Sequence, residues 1–583
     1  MGTAVTRFVS DLKDRFTPYT EWVGDLKNPA VLKADLMAGL TVALVLIPQS
    51  MAYAQLAGLP AYVGLYASFL PAIIAAIFGS SRQLATGPVA VVSLMTAAAL
   101  EPLAASNPEG FLVYAAVLAL MVGVFQLSLG LLRLGILVDF LSHPVVVGFT
   151  NAAAIIIATS QISKLFGVDS RKGEHHYETM WNLIQDIPQT HMATLAMGIL
   201  ALFLLIYMKK VAPKLPNVLI TVLITMLIAW GLDYESLGGA VVGVVPSGLP
   251  AFSVPNFSFA DAKELIVAAM IIALLGFVEA ISVAKAIASE TRQRLSANQE
   301  LVGQGLGNIA SGLFGGYPVS GSFSRSAVNF AANARTGFSS IVTGILVAVT
   351  LLFLTPYLYH LPQATLAAVI VMAVVNLVKI KPIIHAWKVH RHDGVVAVIV
   401  FIVTLIFAPH LEMGIMIGVL LSLGLYLYRT MSPKFVEVVR HEDGTLREAD
   451  RFNLKTSDSL SIYRFDGSLY FANSGYLEGK ILNSIAAKPT VKVVILDLES
   501  VDEVDATGEE TLGRIAERLS AAGIEFYIAR AKVDVFNALT RSGLVAKIGE
   551  ERFFRERTEA SMYAKEKLGD EVDIEPILKP VHV

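Results

Sequence analysis

The chain has 583 residues, of which 55% are hydrophobic and only 16% charged, with a net charge of −3 and no cysteine. Its mean hydropathy is +0.62, whereas ordinary globular proteins carry about 25% charged residues. Of the 93 Asp, Glu, Lys and Arg residues, 48 lie from Ser432 onward, so the first 431 positions hold only 45. A soluble single-domain enzyme is excluded, and so is a nucleic-acid partner, because nothing in the net charge draws phosphate. The absence of cysteine removes disulfides, zinc–thiolate sites and thiol catalysis. What remains is an integral membrane protein with a soluble C-terminal domain.

In chain order, residues 1–34 form a mildly amphipathic arm (Val5, Phe8, Val9, Leu12, Phe16) without a signal-peptide pattern. Crossing a bilayer takes roughly 20 apolar residues. The apolar runs predict fourteen segments near 36–57, 61–79, 86–100, 111–131, 137–163, 191–208, 216–231, 264–288, 299–314, 321–334, 338–355, 363–378, 394–408 and 411–428. With the N-terminus inside, the inward connections hold Arg82, Arg133, Lys209, Lys210, Lys214, Lys285, Arg292, Arg294, Arg335, Lys379, Lys381, Lys388 and Arg391. The outward ones hold only Lys164, Arg171, Lys172 and Lys263. That asymmetry places both termini in the cytoplasm.

Two segments begin unusually, with Ala85-Thr86-Gly87-Pro88-Val89 and Ser320-Gly321-Ser322-Phe323-Ser324-Arg325-Ser326. Each is predicted to carry only about 14 residues of helix, too few to span alone. They occupy matching places in two sets of seven segments, 36–231 and 264–428, the pattern of an inverted repeat whose broken helices start at the membrane midplane. Helix starts present unpaired N–H groups and partial positive charge, which suit an anion. The plainer alternative is a helix break at each loop.

Arg325 is predicted to lie well inside a segment, where a charge is costly and must face a cavity, a partner or a ligand. The alternatives to an anion are an ion pair with Glu279 or snorkelling to the interface. Glu279 is read as the only carboxylate well inside a span, the candidate for proton coupling if it is not locked to Arg325. In the first segment, Pro48 breaks the run beside Gln49 and Tyr53, which either donate to a ligand or serve a proline kink.

Several of these stretches together resemble the sulfate permease (SulP) family of anion transporters. They are Leu46-Ile47-Pro48-Gln49-Ser50-Met51-Ala52-Tyr53-Ala54, Gly58-Leu59-Pro60, Val63-Gly64-Leu65-Tyr66, Gly79-Ser80-Ser81-Arg82, Gly87-Pro88-Val89 and the run Gly321–Phe330. The resemblance covers about residues 30 to 568. It implies a homodimer of fourteen-segment chains in a seven-plus-seven inverted repeat, in which a core (segments 1–4 and 8–11) moves elevator-like against a gate (segments 5–7 and 12–14). It also implies an anion held between the two half-helix starts, so that Gln49, Tyr53, Gly87, Pro88, Val89, Ser322, Phe323, Ser324 and Arg325 are candidate substrate-binding residues. Glu279 falls where proton-coupled members of the family carry a glutamate.

After a linker over 432–451, short alternating elements predict a small α/β domain over 452–569. Strands are expected at 460–465, 468–471, 493–498 and 524–529, and helices at 474–486, 507–521, 533–541 and 558–568. This part resembles a STAS domain, with Asp505-Ala506-Thr507-Gly508 at the loop before a helix. Asp505 or Thr507 reads as an N-cap, and Thr507 as a candidate regulatory position. Residues 570–583 are expected to form a flexible tail.

The expected function is secondary active transport of a small inorganic anion, sulfate, across the cell inner membrane, with protons as the coupling ion. The alternatives are bicarbonate, a fumarate-like dicarboxylate, or, from another class, a passive channel or a STAS-linked sensor. No cofactor, metal or catalysis is expected. The expected partners are the anion, protons, the lipid bilayer, a second copy and a cytoplasmic protein at the STAS domain.

Overall fold

A computed structural model describes residues 17–578, apart from 107–109, 137–141, 170, 172, 174, 213–214 and 257. The apolar residues of the arm before position 17, Lys172, Lys214, the start of the fifth predicted segment and the last five residues of the predicted tail lie outside the described residues. The chain divides into two compact units between Ser422 and Leu423.

In the first unit each predicted segment falls on a helix. They are α1 (Pro29–Leu56), α2 (Ala61–Phe78), α3 (Ala90–Ser106), α4 (Phe111–Leu131), α5 (His143–Ser160), α6 (Met192–Val211) and α7 (Asn217–Gly231). The second set comprises α8 (Phe259–Thr291), α9 (Ala297–Leu313), α10 (Phe323–Ala331), α11 (Phe338–Val349), α12 (Gln363–Val374), α13 (Arg391–Phe407) and α14 (Leu411–Met431). Among the described residues, eight helical stretches are long and apolar enough to cross a bilayer. Helices over His176–Asp186 and Ile380–Val389 were not expected; both lie in polar connections whose apolar content is too small to read as a segment.

The two half-helices differ from expectation. α3 is longer, at 17 residues, and α10 shorter, at nine. Neither helix begins at its glycine. Thr86–Gly87 (β1) and Ser320–Gly321 (β2) instead pair as a two-stranded antiparallel ladder, Thr86 opposite Gly321 and Gly87 opposite Ser320. The ladder satisfies backbone groups that lipid could not.

Small residues let the helices approach closely, as packing in lipid favours. α9 packs against α4 and α2, α11 against α1 and α2, α5 against α13, and α6 against α12. At the α4–α9 crossing a methyl group on Gly305 would lie 2.6 Å from the Leu127 nitrogen. Asp35 ties α1 to the turn before α11, accepting from Thr336 Oγ1 at 2.6 Å and the Arg335 N–H at 2.6 Å.

The second unit is built on a six-stranded sheet in the order β4-β3-β5-β6-β7-β8. Its strands are β3 (Lys434–Arg440), β4 (Leu446–Glu448), β5 (Leu460–Asp466), β6 (Val493–Asp497), β7 (Glu525–Ala529) and β8 (Phe553–Phe554). β3 is antiparallel to β4 and β5, and the strands from β5 to β8 are parallel. Strand alternation sorts the core onto two faces. Phe465, Val494, Leu496, Phe526 and Ile528 pack with α15 (Ser474–Ala487), α16 (Ala506–Ala521) and α17 (Val533–Arg541). Leu460, Ile462, Val493, Ile495 and Tyr527 face α18 (Arg557–Leu568).

Three expectations are corrected here. Residues 432–451 are not a linker, because β3 and β4 belong to the sheet. The strand expected at 468–471 is a single bridge from Leu469 to Val504. Residues 570–578 are not loose, because Val572 and Ile577 are buried in the second face of the core. Single apolar residues spaced among charges gave too weak a period to reveal that last segment.

Candidate functional site

The starts of α3 and α10 are fastened together before either helix begins. The Ser322 N–H donates to the Ala85 carbonyl at 2.9 Å, and the Ala85 N–H donates to Ser326 Oγ at 2.9 Å. One turn on, Asn329 Nδ2 donates to the Gln83 carbonyl at 3.1 Å. Ser320 Oγ donates to the Gly276 carbonyl of α8 at 2.6 Å. The hydroxyls of Ser320 and Ser326 are therefore engaged in holding the ladder.

Arg325 sits in the first turn of α10 and is 0% exposed. Its Nε, Nη1 and Nη2 have no hydrogen-bond partner among the described residues, and no ion pair joins it to Glu279. Neither snorkelling nor a fixed salt bridge accounts for it. The guanidinium lies against the other half: a methyl on Gly87 would be 3.3 Å from Arg325 Nη2 and 3.4 Å from Leu46 Cδ1. Among the described residues, the titratable groups that act on it electrostatically include Tyr53, Tyr317 and Glu279. Tyr53 and Tyr317 are buried, and the Tyr317 hydroxyl shares a 2.9 Å hydrogen bond with Ser93 Oγ of α3.

The remaining predicted residues divide. Gln49 is buried with Oε1 unpaired, and Gly87, Pro88, Val89 and Ser322 are buried at the half-helix starts. Ser322 Oγ caps α10 by accepting from the Arg325 N–H at 3.4 Å. Phe323 and Ser324 are exposed, and Lys379 Nζ lies 5.7 Å from the Phe323 ring centre. The Ser324 hydroxyl is within 3.4 Å of Ser322 Oγ, so of the two Phe323 stands apart from the buried group. Glu279 is half-buried, three residues along α8 from Gly276.

Sequence reasoning missed the supports on α9. Glu279 is not alone: Glu300 is also buried, accepting from the N–H groups of Ser80 and Ser81 at 3.0 Å each. One turn on, Gln304 Nε2 donates to Thr86 Oγ1 of β1 at 2.8 Å. A turn further, Asn308 bonds Val319 at the entry to β2 and donates to Gln126 Oε1 of α4 at 3.0 Å. Ser311 Oγ donates to the Tyr317 carbonyl at 2.7 Å. The spacing of Ser296, Glu300, Gln304 and Asn308, four residues each in an apolar helix, was the signal available.

A buried guanidinium offering five N–H donors in a planar fork suits a small oxyanion. A separate cavity of about 650 Å³ is lined by Gln55 and Leu56 of α1, Leu94 and Ala98 of α3, and Ser160 of α5, and none of the candidate site residues is among those lining it.

Residues 32–400 match the sulfate permease family. The chain belongs to that family. Its residues 451–560 match the STAS domain. Sulfate transporter 4.1, chloroplastic, of Arabidopsis thaliana is 36% identical over 93% of this chain and 82% of its own. A probable sulfate transporter of Mycobacterium tuberculosis, MT1781, is 35% identical over 90% of this chain and 93% of its own. The fold matches the murine solute carrier 26 member A9 anion transporter in its inward-facing state, with a TM-score of 0.88 over 94% of each chain at 23% identity. The protein is thus a polytopic α-helical membrane protein of the sulfate permease family with a C-terminal STAS domain, in a family of transporters rather than of enzymes.

Proposed function

We propose that the protein is a secondary active transporter that takes up sulfate with protons across the cytoplasmic membrane, both termini facing the cytoplasm. The core would comprise α1–α4 and α8–α11 and move elevator-like, in a homodimer, against a gate of α5–α7 and α12–α14. The anion would lie between β1, β2 and the two helix starts, reached by Arg325 from one half and by Gln49 and Tyr53 from α1. The observation that carries this reading is Arg325, wholly buried beside Gly87 with three guanidinium nitrogens unpartnered. A fixed positive charge in a low-dielectric site is stable only with a counter-charge, and relatives named as sulfate transporters favour sulfate.

Glu279 supplies the coupling group in this reading. It lies near enough to feel the charge of Arg325 yet makes no ion pair with it, so it is free to exchange a proton as the site fills. Thr507 in the STAS domain is the candidate regulatory position; Asp505 Oδ1 already caps α16 by accepting from the Gly508 N–H at 2.7 Å.

The test is labelled sulfate uptake into proteoliposomes, with and without an inward proton gradient, against unlabelled sulfate, bicarbonate and fumarate. Uptake should rise on external acidification, compete best with sulfate and weaken in Arg325→Ala. Stronger competition by bicarbonate or fumarate would reassign the substrate, and indifference to the gradient would remove the proton.

A further inference from the structure

Four arginines from three separate connections converge on one hollow. Its volume is about 730 Å³, and Arg82, Arg133, Arg292 and Arg294 line it together with Asn298 and, among the described residues, a single carboxylate, Glu21. Arg82 is engaged by Asp25 at 3.2 Å. Arg292 and Arg294 make no hydrogen bond or ion pair among the described residues. The tendency of basic residues to stay on the cytoplasmic side explains which side they are on. It does not explain why connections so far apart in sequence bring arginines to the lining of the same cavity.

The backbone supplies a second, independent observation. Arg133 follows the end of α4 with φ 61°, and Arg292 follows the end of α8 with φ 56°. Left-handed positions just past a helix end are where glycine is the unstrained choice. Arginine at both is a poor way to end a helix, and residues held in such backbone conformations cluster where a ligand is clamped. The first turn of α9 also opens on the hollow through Ser296, adding N–H groups and partial positive charge. Beside Arg133, Leu132 and Ile136 are 68% and 70% exposed, so apolar surface borders the charged site.

We propose that this hollow binds a terminal phosphoryl dianion, as carried by a lipid head group or by a small soluble polyphosphate, at a site separate from that of the transported anion. Forked arginines match phosphate oxygens in pairs, and the volume accommodates more than one phosphate. Basic pockets between membrane helices are a known way to hold lipid head groups, and the bordering leucine and isoleucine suit that source.

The test uses the full-length protein in phosphatidylcholine nanodiscs. One arm titrates inorganic pyrophosphate; the other compares thermal stabilisation with and without phosphatidic acid in the bilayer. Wild type should bind at least one probe roughly tenfold tighter than the Arg292→Gln/Arg294→Gln double variant. Lys209→Gln/Lys210→Gln, which removes exposed basic charge elsewhere, should bind like wild type. Arg292→Gly relieves the backbone while removing one guanidinium, so a gain in thermal stability with weaker binding separates a ligand site from a structural role. Sulfate uptake in phosphatidylcholine proteoliposomes should be unchanged in the double variant. Binding of pyrophosphate alone assigns a soluble ligand, and response to phosphatidic acid alone assigns a lipid. The proposal is overturned if neither probe binds, if the arginine variants bind like wild type, or if the lysine variant loses as much.

Discussion

Asn308 and Val319 exchange two hydrogen bonds: the Val319 N–H donates to Asn308 Oδ1 at 2.8 Å, and Asn308 Nδ2 returns one to the Val319 carbonyl at 3.0 Å. The side chain thus takes the place of a neighbouring strand for the residue that leads into β2. Through Gln304 the same helix holds β1, so α9 grips both half-helix starts from one rigid element. Whatever relative motion transport needs, the two halves of the candidate site are built to travel together.

Asn308→Ala should therefore injure both stability and transport. It would leave the Val319 N–H and carbonyl and the Gln126 Oε1 without this partner in a buried setting. Each unsatisfied group costs about 1–3 kcal/mol, although partial repacking reduces the sum. The expected outcome is a lower melting temperature in detergent together with a lower maximal uptake rate. A variant that melts early but transports at the wild-type rate would show that α9 does not set the geometry of the ladder.

Gly87→Ala probes the opposite side of the site with little backbone penalty, because Gly87 is not among the glycines with positive φ. The added methyl would stand 3.3 Å from Arg325 Nη2, inside ordinary van der Waals contact. Overpacking of this size costs about 1–3 kcal/mol, most of it relieved by pushing the guanidinium aside. The half-saturating sulfate concentration should rise roughly tenfold, with the melting temperature little changed. Equal affinity for sulfate in the two proteins would separate Gly87 and Arg325 from the anion.

The legibility of this protein follows the strength of its periodic signals. Long apolar runs exposed the helices, and two breaks, at Gly87 and Gly321, exposed the pairing of α3 with α10. The sequence could not show that those glycines form a ladder, because two-residue strands carry no alternation. Arg325 stood out by its charge within an apolar run, and it is buried, as Glu300 also is. Phe323 and Ser324 came in through the family resemblance; successive helical residues face different ways, and these two are exposed where Arg325 is buried. Glu300 was overlooked because it stands at the edge of its predicted segment, and Gln304 and Asn308 because amides draw less notice than charge, although their four-residue spacing marks one helix face. In the STAS domain β3 and β4 were lost to a run of charged residues whose alternation is masked by an exposed edge.

Glu279→Gln tests coupling directly. Glutamine keeps the shape and most of the polarity of the side chain but cannot exchange a proton. Sulfate binding should persist, since the carboxylate makes no ion pair with Arg325, while uptake should no longer respond to an imposed pH gradient. Exchange of internal for external sulfate at equal pH is the informative control. If exchange continues and gradient-driven accumulation stops, Glu279 is the coupling group; if accumulation continues, the proton travels elsewhere.

The STAS domain offers a pH-dependent prediction outside the membrane. Asp497, at the end of β6, is fully buried, and its carboxylate pairs with Arg557 Nε of α18 at 2.6 Å. Burial pushes its carboxyl above the usual range, and the Arg557 charge pulls it back only in part. A raised folded-state value means that the group favours the folded domain most below the ordinary carboxylate range, and that this contribution is lost as pH rises through the raised value. Arg557→Gln removes the counter-charge, so at neutral pH it leaves an ionised carboxylate buried without its partner. Removing one member of a buried pair costs about 3–5 kcal/mol, at the lower end here because Arg557 keeps some contact with water. At mildly acid pH the carboxyl of the variant takes up a proton and the penalty shrinks. Hydrogen exchange of the β6 amides in the full-length protein should therefore be much faster in Arg557→Gln than in wild type at pH 7.5. The difference should narrow on acidification, once exchange is corrected for its intrinsic pH dependence. A difference that holds constant with pH would mean that Arg557 acts through packing or through its ion pair with Glu499, and that its charge does not act through Asp497.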